Sequence, residues 1–360
     1  MFTKVQQFLD SFLDMGIPGF DCIIYKDGKE AFRYMNGYRN LEEKLPMRGD
    51  ERYNIYSCSK PITCTAALQL FEKGMFSLED PLSKYIPAFS EMSVQTEEGI
   101  VPANKQIRIL DLFCMGAGFT YNVNSANLRL AREETGGRCP TVKTMDYLAK
   151  DLLQFHPGEK YAYSLCHDVL AAVVEVISGM PFAEYVKKNI FDPLGMSRST
   201  FMLPEEELDT VTEQYRFNNE LKRVINCGKK IQTYKIGSEY ASGGAGCIST
   251  VEDYILFLEA MRKGDILLKR ETIDMMSINH LTEQQLTTYG VEGGYGYGLG
   301  VRCTRGNDDI TEFGWGGAAG AYLSIDRTNQ MTVFYVQHVL NSPNQGIRQN
   351  VRPLALEILR

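Results

Sequence analysis

The chain has 360 residues, 44% of them hydrophobic and 23% charged, with a formal net charge of −7. That is enough to bury a sizeable core, and without any Lys/Arg-rich run it excludes a nucleic-acid partner. The nine cysteines are odd in number, scattered and without a C-x-x-C pair, which argues against a disulfide framework or a zinc site and for a reducing, cytoplasmic compartment.

Near the start, Val5, Phe8, Leu9, Phe12 and Leu13 recur at helical spacing, interrupted by Gln6, Gln7, Asp10 and Asp14. This predicts an amphipathic docking helix closed by Gly16, not an export signal. No stretch is long and apolar enough to span a bilayer, so no membrane partner is expected. Phe20 to Lys26 and Glu30 to Tyr38, joined by Asp27-Gly28, predict a hairpin. A helix is expected over residues 57–74, with Ile62, Ala66 and Leu70 in one stripe and Gly74 ending it. From there to about residue 240 the pattern is helical segments and loops, including apolar helices over Val169 to Ile177 and Phe182 to Ile190. Ser249-Thr250-Val251-Glu252-Asp253 reads as a capping box opening a helix to about Met261. Strands are expected over Tyr295 to Val301, Ala321 to Ile325 and Met331 to Gln337, then a closing helix over about Gln345 to Leu359. Strand-rich ends around a helical middle predict an α+β fold, with one antiparallel sheet shared by both ends, flanked by helices, and a mostly helical lobe. No repeat or low-complexity tract is present.

Three features carry chemistry. Ser57-Cys58-Ser59-Lys60 puts a serine and a lysine three residues apart, on one helical face. A serine hydroxyl is a poor nucleophile without an adjacent base, and a helix start favours developing negative charge. Such a pair also arises by chance on a surface helix. Ser57, however, is the only serine with a lysine three residues on. It also sits between a β-prone stretch and a helix, a junction that exposes nucleophiles. The second feature is Tyr161-Ala162-Tyr163-Ser164, where packing tyrosines are the plainer reading. The third is Gly314-Trp315-Gly316-Gly317-Ala318-Ala319-Gly320, whose glycines mark a close approach by ligand or backbone, or a tight turn. No G-x-S-x-G, H-E-x-x-H or P-loop occurs, and the four histidines form no cluster. A Ser-His-Asp triad stays open.

Taken together these motifs resemble the class C β-lactamase-like superfamily from about residue 18 onward. The resemblance extends to Gly74-Met75-Phe76-Ser77-Leu78-Glu79-Asp80-Pro81-Leu82, Phe191-Asp192-Pro193-Leu194-Gly195-Met196-Ser197 and Ser242-Gly243-Gly244-Ala245-Gly246. It implies one catalytic domain, with an α/β lobe over about 1–56 plus 245–360 and a helical lobe over about 57–244. It also implies Ser57 as acylated nucleophile, Lys60 as its base and Tyr163 as proton shuttle. Trp315-Gly316-Gly317 matches the third box, and the Ala318 N–H would join that of Ser57 as the oxyanion hole. Two positions depart from the pattern: Leu165 replaces the second-box asparagine, and Trp315 replaces a cation or histidine. Both departures resemble the family VIII carboxylesterase and acyltransferase branch, so the expectation is a small-molecule acyl substrate, most simply an ester. No cofactor or metal is expected. The alternatives are a β-lactamase, D-amino-acid amidase or DD-peptidase, or a sensor that acylates without turnover. The oligomeric state is not legible in the sequence.

Overall fold

A computed structural model of the protein describes residues 1–229, 234–290, 294–305 and 312–359. Asp27 and Gly28 both take positive φ, 54° and 80°, the combination whose twist matches a two-residue hairpin. They join β1 (Gly19–Lys26) to β2 (Lys29–Asn40). β3 (Leu45–Pro46) extends the hairpin on one side. On the other side the late strands follow: β4 (Tyr295–Tyr297), β5 (Arg302–Thr304), β6 (Glu312–Gly316), β7 (Tyr322–Asp326) and β8 (Met331–Gln337). The eight strands lie in the order β4-β5-β6-β7-β8-β1-β2-β3, every pair antiparallel. Both ends of the chain therefore share one sheet, as expected.

Alternation along the strands decides what covers each face. Phe20, Cys22 and Ile24 of β1 and Val333 and Tyr335 of β8 point to one side. They meet Val5, Leu9 and Phe12 of α1 (Thr3–Asp14). Ile23, Phe334 and Val336 point to the other side, into the main core. Along that core α2 (Ser59–Glu72) packs on α3 (Cys166–Ser178), while α4 (Val251–Lys263) lies on the sheet itself. The closing helix α5 (Val351–Leu359) returns to pack beside α1. Gly74, at φ 69°, follows the end of α2, where a left-handed residue releases the chain from the helix.

Several boundaries differ from the sequence reading. Residues 57–74 do not begin as α-helix: Tyr56–Cys58 is a 3₁₀ turn and α2 starts at Ser59. The expected strand at 295–301 stops at Tyr297, because Gly298 N bonds back to Val301 O and Gly300 turns the chain at φ 87°. The segment after Phe182 is helical only to Val186, then widens to a π-turn over Lys187–Phe191. α5 starts six residues later than the pattern suggested. At α4, Thr250 caps Asp253 N as expected. The Asp253 carboxylate instead accepts from Arg198 N and Ser199 Oγ, tying α4 to the preceding loop. Two small hairpins, Ser93–Thr96 with Gly99–Pro102 and Tyr215–Asn218 with Arg223–Asn226, interrupt the helical middle.

Candidate active site

Ser57 stands at the head of α2 on a tight, strained turn. Tyr56, the residue before it, holds φ at 47°, a left-handed conformation that costs a non-glycine residue roughly 1 kcal/mol or more. Neighbours fix it: Cys58 N bonds to Ile55 O at 3.1 Å, and Ser59 Oγ donates to Tyr56 O and accepts from Cys247 N. The Tyr254 hydroxyl holds Cys58 O at 2.6 Å. The turn is thereby over-determined from three sides, and Ser57 keeps a small opening, 8% exposed, while Lys60 is wholly buried.

Lys60 Nζ donates to three oxygens: Gly244 O at 2.7 Å, the Tyr121 hydroxyl at 3.2 Å and Ser57 Oγ at 3.3 Å. Three donors is the full capacity of an ammonium. Its charge also lies 4.4 Å from the Tyr163 ring centroid and 5.2 Å from that of Tyr121, within cation–π range. The Tyr163 hydroxyl donates to Ser57 Oγ at 2.6 Å and accepts from Trp315 Nε1 at 3.4 Å. Tyr121, Tyr163 and Trp315 form a stack, with centroids 5.3 and 5.8 Å apart and planes 18° and 28° off parallel. Of the residues the sequence singled out, the structure thus brings Ser57, Lys60, Tyr163 and Trp315 into direct contact.

The glycines around Trp315 have a steric cause. A Cβ on Gly314 would lie 2.2 Å from Leu323 O, and one on Gly317 would lie 2.4 Å from Ile55 O. Without side chains, the end of β6 can lie against the backbone that leads into the Ser57 turn. Ala318 follows in the open, its N–H committed to no acceptor among the described residues. Gly316 lies beside the Arg348 guanidinium. Leu165 is buried in the main core, 1% exposed. At that burial it offers no surface to a substrate.

Three residues of the site, Tyr121, Asp168 and Tyr234, carried no signal that the sequence reading used, and Gly244 entered it only within the Ser242-Gly243-Gly244-Ala245-Gly246 resemblance, without a role. Tyr121, in the irregular stretch between Phe113 and Ala126, closes the aromatic stack and accepts from Lys60. Burial pushes its hydroxyl well above the usual tyrosine range. The Gly244 carbonyl anchors Lys60. Asp168 of α3 accepts from Ser242 Oγ at 2.7 Å and the Tyr240 hydroxyl at 3.1 Å, steadying the loop that carries that carbonyl. Burial raises its carboxyl, opposed by the Ser242 hydrogen bond and by the Lys60 charge. Tyr234 packs edge-on to both Tyr121 and Tyr56. The Gly116-Ala117-Gly118 run before Tyr121 is the one pattern that could have marked its loop.

Among the described residues no histidine bonds Ser57. His167 lies buried against Phe113 O and Cys64 Sγ, and the ring nitrogens of His338 have no hydrogen-bond partner among the described residues. His156 accepts from Asn104 N, and His280 bonds to Met275 O at the end of a helix. No group of three or more His, Cys, Asp or Glu among the described residues could hold a metal, and no single helix is long and apolar enough to cross a membrane.

The β-lactamase family model matches residues 4–355 of the chain. Esterase EstB of Burkholderia gladioli is 27% identical over 343 residues, spanning 88% of this chain and 85% of that protein. Among solved structures, EstCE1, a hydrolase with promiscuous acyltransferase activity, superposes with a TM-score of 0.79 at 22% identity, covering 99% and 97% of the two chains. A penicillin-binding protein homologue from Pyrococcus abyssi superposes at 0.75 and 22% identity, covering 99% of this chain and 76% of its own. At such identities the superpositions establish the fold alone.

Proposed function

Since the chain belongs to the β-lactamase family of serine hydrolases, we propose that it cleaves carboxylic esters through a covalent acyl-enzyme on Ser57. The observation that carries this reading is the position of Ser57 Oγ, within hydrogen-bond reach of both the Tyr163 hydroxyl and Lys60 Nζ. In the reaction, Tyr163 reacts in its deprotonated form, and its oxygen takes the proton of Ser57 as Ser57 Oγ bonds to the ester carbonyl carbon. Lys60, donating to three oxygens, lowers the energy of the negative charge that passes between Ser57 and Tyr163. The carbonyl oxygen becomes an oxyanion held by the N–H groups of Ser57 and Ala318. Collapse breaks the bond to the leaving alkoxide, which takes the proton from Tyr163. Water or an acceptor alcohol then enters by the same path and releases the acid or a new ester.

Esters are favoured over β-lactams and peptides for a chemical reason. Leu165 offers no amide to grip an acylamino group, and Trp315 offers no charge to a substrate carboxylate. The likeness to esterase EstB points the same way. We read the chain as one catalytic unit with its lobes at about 1–56 plus 245–360 and 57–244, acting in a reducing cytoplasm on small molecules.

The test is a panel of p-nitrophenyl acetate, p-nitrophenyl butyrate, a lactone, nitrocefin and a D-Ala-D-Ala peptide, run on wild type and Ser57→Ala. Ester turnover is expected to lead, with mass spectrometry placing the acyl group on Ser57. Nitrocefin or peptide turnover outpacing the esters would favour the lactamase or peptidase reading. Full activity in Ser57→Ala would end the assignment of the nucleophile.

A further inference from the structure

Arg348 is a buried cation that the proposed mechanism does not use. It begins the 3₁₀ turn Arg348–Asn350 ahead of α5 and is 8% exposed. No carboxylate pairs with it among the described residues. Its Nη2 donates instead to Gly317 O at 3.3 Å. The same carbonyl accepts from Gly320 N at 3.0 Å. The backbone on its own side is held as well, since Arg348 N bonds to Asn344 O, and Asn344 is clamped by Gln337 of β8. Leaving a guanidinium unpaired in such a place is expensive, so the question is what its charge does there.

We infer that Arg348 is a positioning residue for the oxyanion hole, acting through the Gly317–Ala318 peptide. The argument is geometric. Gly317 O and the Ala318 N–H belong to one amide, and no cis peptide occurs in the chain. In a trans amide the two groups point in opposite directions. Fixing the oxygen toward Arg348 therefore aims the N–H the other way, where it has no acceptor among the described residues. Gly317 is also the residue whose missing side chain lets this strand end approach Ile55 O. The amide is thus held at one edge by Arg348 and at the other by the backbone leading to Ser57. A charged donor on the carbonyl polarises the amide, so its N–H becomes a stronger donor. The guanidinium also adds a fixed positive field in a low-dielectric setting, where negative charge develops only in the transition state.

This inference rests on the proposed acyl-enzyme mechanism, and the experiment separates the two. Wild type, Arg348→Lys and Arg348→Gln are acylated with p-nitrophenyl acetate carrying a ¹³C carbonyl. The acetyl-enzyme carbonyl band is read by isotope-edited infrared difference spectroscopy, with kcat, KM and Tm measured alongside. The neutral acetate removes any role for pairing with a substrate carboxylate. Arg348→Gln is expected to shift the carbonyl band to higher wavenumber, since a weaker oxyanion donor polarises it less. The same variant is expected to lower kcat about tenfold with KM within about twofold, less than the loss of a whole donor. Arg348→Lys, which keeps the charge, is expected to recover most of both. An acetyl band that does not move in Arg348→Gln overturns the inference, as does a rate loss seen only in KM. A rate loss that Arg348→Lys fails to rescue while its Tm equals wild type does so too. Absence of any acetyl band in wild type overturns the acyl-enzyme mechanism and this inference together.

Discussion

The Tyr163 hydroxyl approaches Ser57 Oγ to 2.6 Å, closer than Lys60 Nζ at 3.3 Å. The lysine, the more conspicuous partner in the sequence, is the farther one, and its three donors are already distributed among three oxygens. On the proposed mechanism the direct proton path from the serine therefore runs through the tyrosine, with the lysine acting on it by charge. Tyr163→Phe is expected to lower kcat about 100-fold or more, in the range typical of a lost acid–base group. Stopped-flow release of p-nitrophenol measures it. A kcat within about tenfold of wild type would assign the proton path to Lys60.

Tyr121 takes one of the three Lys60 hydrogen bonds and stacks on Tyr163. Tyr121→Phe keeps the ring and removes only the oxygen. Its expected effect is a loss of about tenfold in kcat with KM nearly unchanged, because the ammonium is left with an unmet donor where charge moves. Equal changes in KM and kcat would mean that Tyr121 shapes substrate binding instead.

The contrast between these two tyrosines shows what the sequence could carry. Ser57 and Lys60 were marked by their spacing at a helix start, whereas Tyr163 and the Trp315 box gained their roles only through the resemblance of the motifs taken together. The β1–β2 hairpin was legible locally, since Asp27-Gly28 dictates its own φ values. Tyr121, the Gly244 carbonyl and Arg348 reach the site from loops and a distant helix start, and only tertiary packing brings them in. A backbone carbonyl has no letter in the sequence at all. The 3₁₀ start at Tyr56 was missed because a left-handed tyrosine contradicts local preference. It persists only through the bonds made by Ser59, Tyr254 and Cys247.

Gly317→Ala would place a methyl group 2.4 Å from Ile55 O. Backbone cannot rotate aside as a side chain can, so β6 must move off the Ser57 turn. A displacement on the order of 1 Å near the reacting atoms costs about 100-fold in rate. Destabilisation is expected to be about 1–3 kcal/mol, from overpacking. Gly346→Ala, whose added methyl meets nothing within 4 Å, serves as the comparison and is expected to match wild type. The two variants are compared by kcat and by urea midpoint. Wild-type kcat in Gly317→Ala would show that the contact is slack.

Acid should unfold this protein through its buried histidines. Burial pushes His338 down to about 4 and, with the Lys60 charge, His167 down to about 3. In the unfolded chain both protonate near 6.5. Between those values the unfolded state binds more protons, so stability is full above pH 6.5 and falls as pH drops through the window. The His338 part amounts to about 3 kcal/mol by pH 4. The His338 ring lies between Tyr53 and Tyr215 with no hydrogen bond to its nitrogens, so His338→Phe is expected to keep the packing and flatten the decline. Urea midpoints at pH 7, 5.5 and 4.5 test this; parallel declines in the two proteins would exonerate His338.

The pairing of β1 with β8, Cys22 opposite Tyr335, has a consequence for how the protein is made. At a synthesis rate of roughly 5–20 residues per second, β1 leaves the ribosome about fifteen seconds to a minute before its partner, some three hundred residues later. Throughout that interval the first hairpin carries an unpaired, apolar edge, the kind of strand that recruits other chains. The serine turn is likewise without the β6 backbone that shapes it. A nascent chain of this protein therefore lacks both the covered edge and the finished serine turn until nearly its last strand has been added.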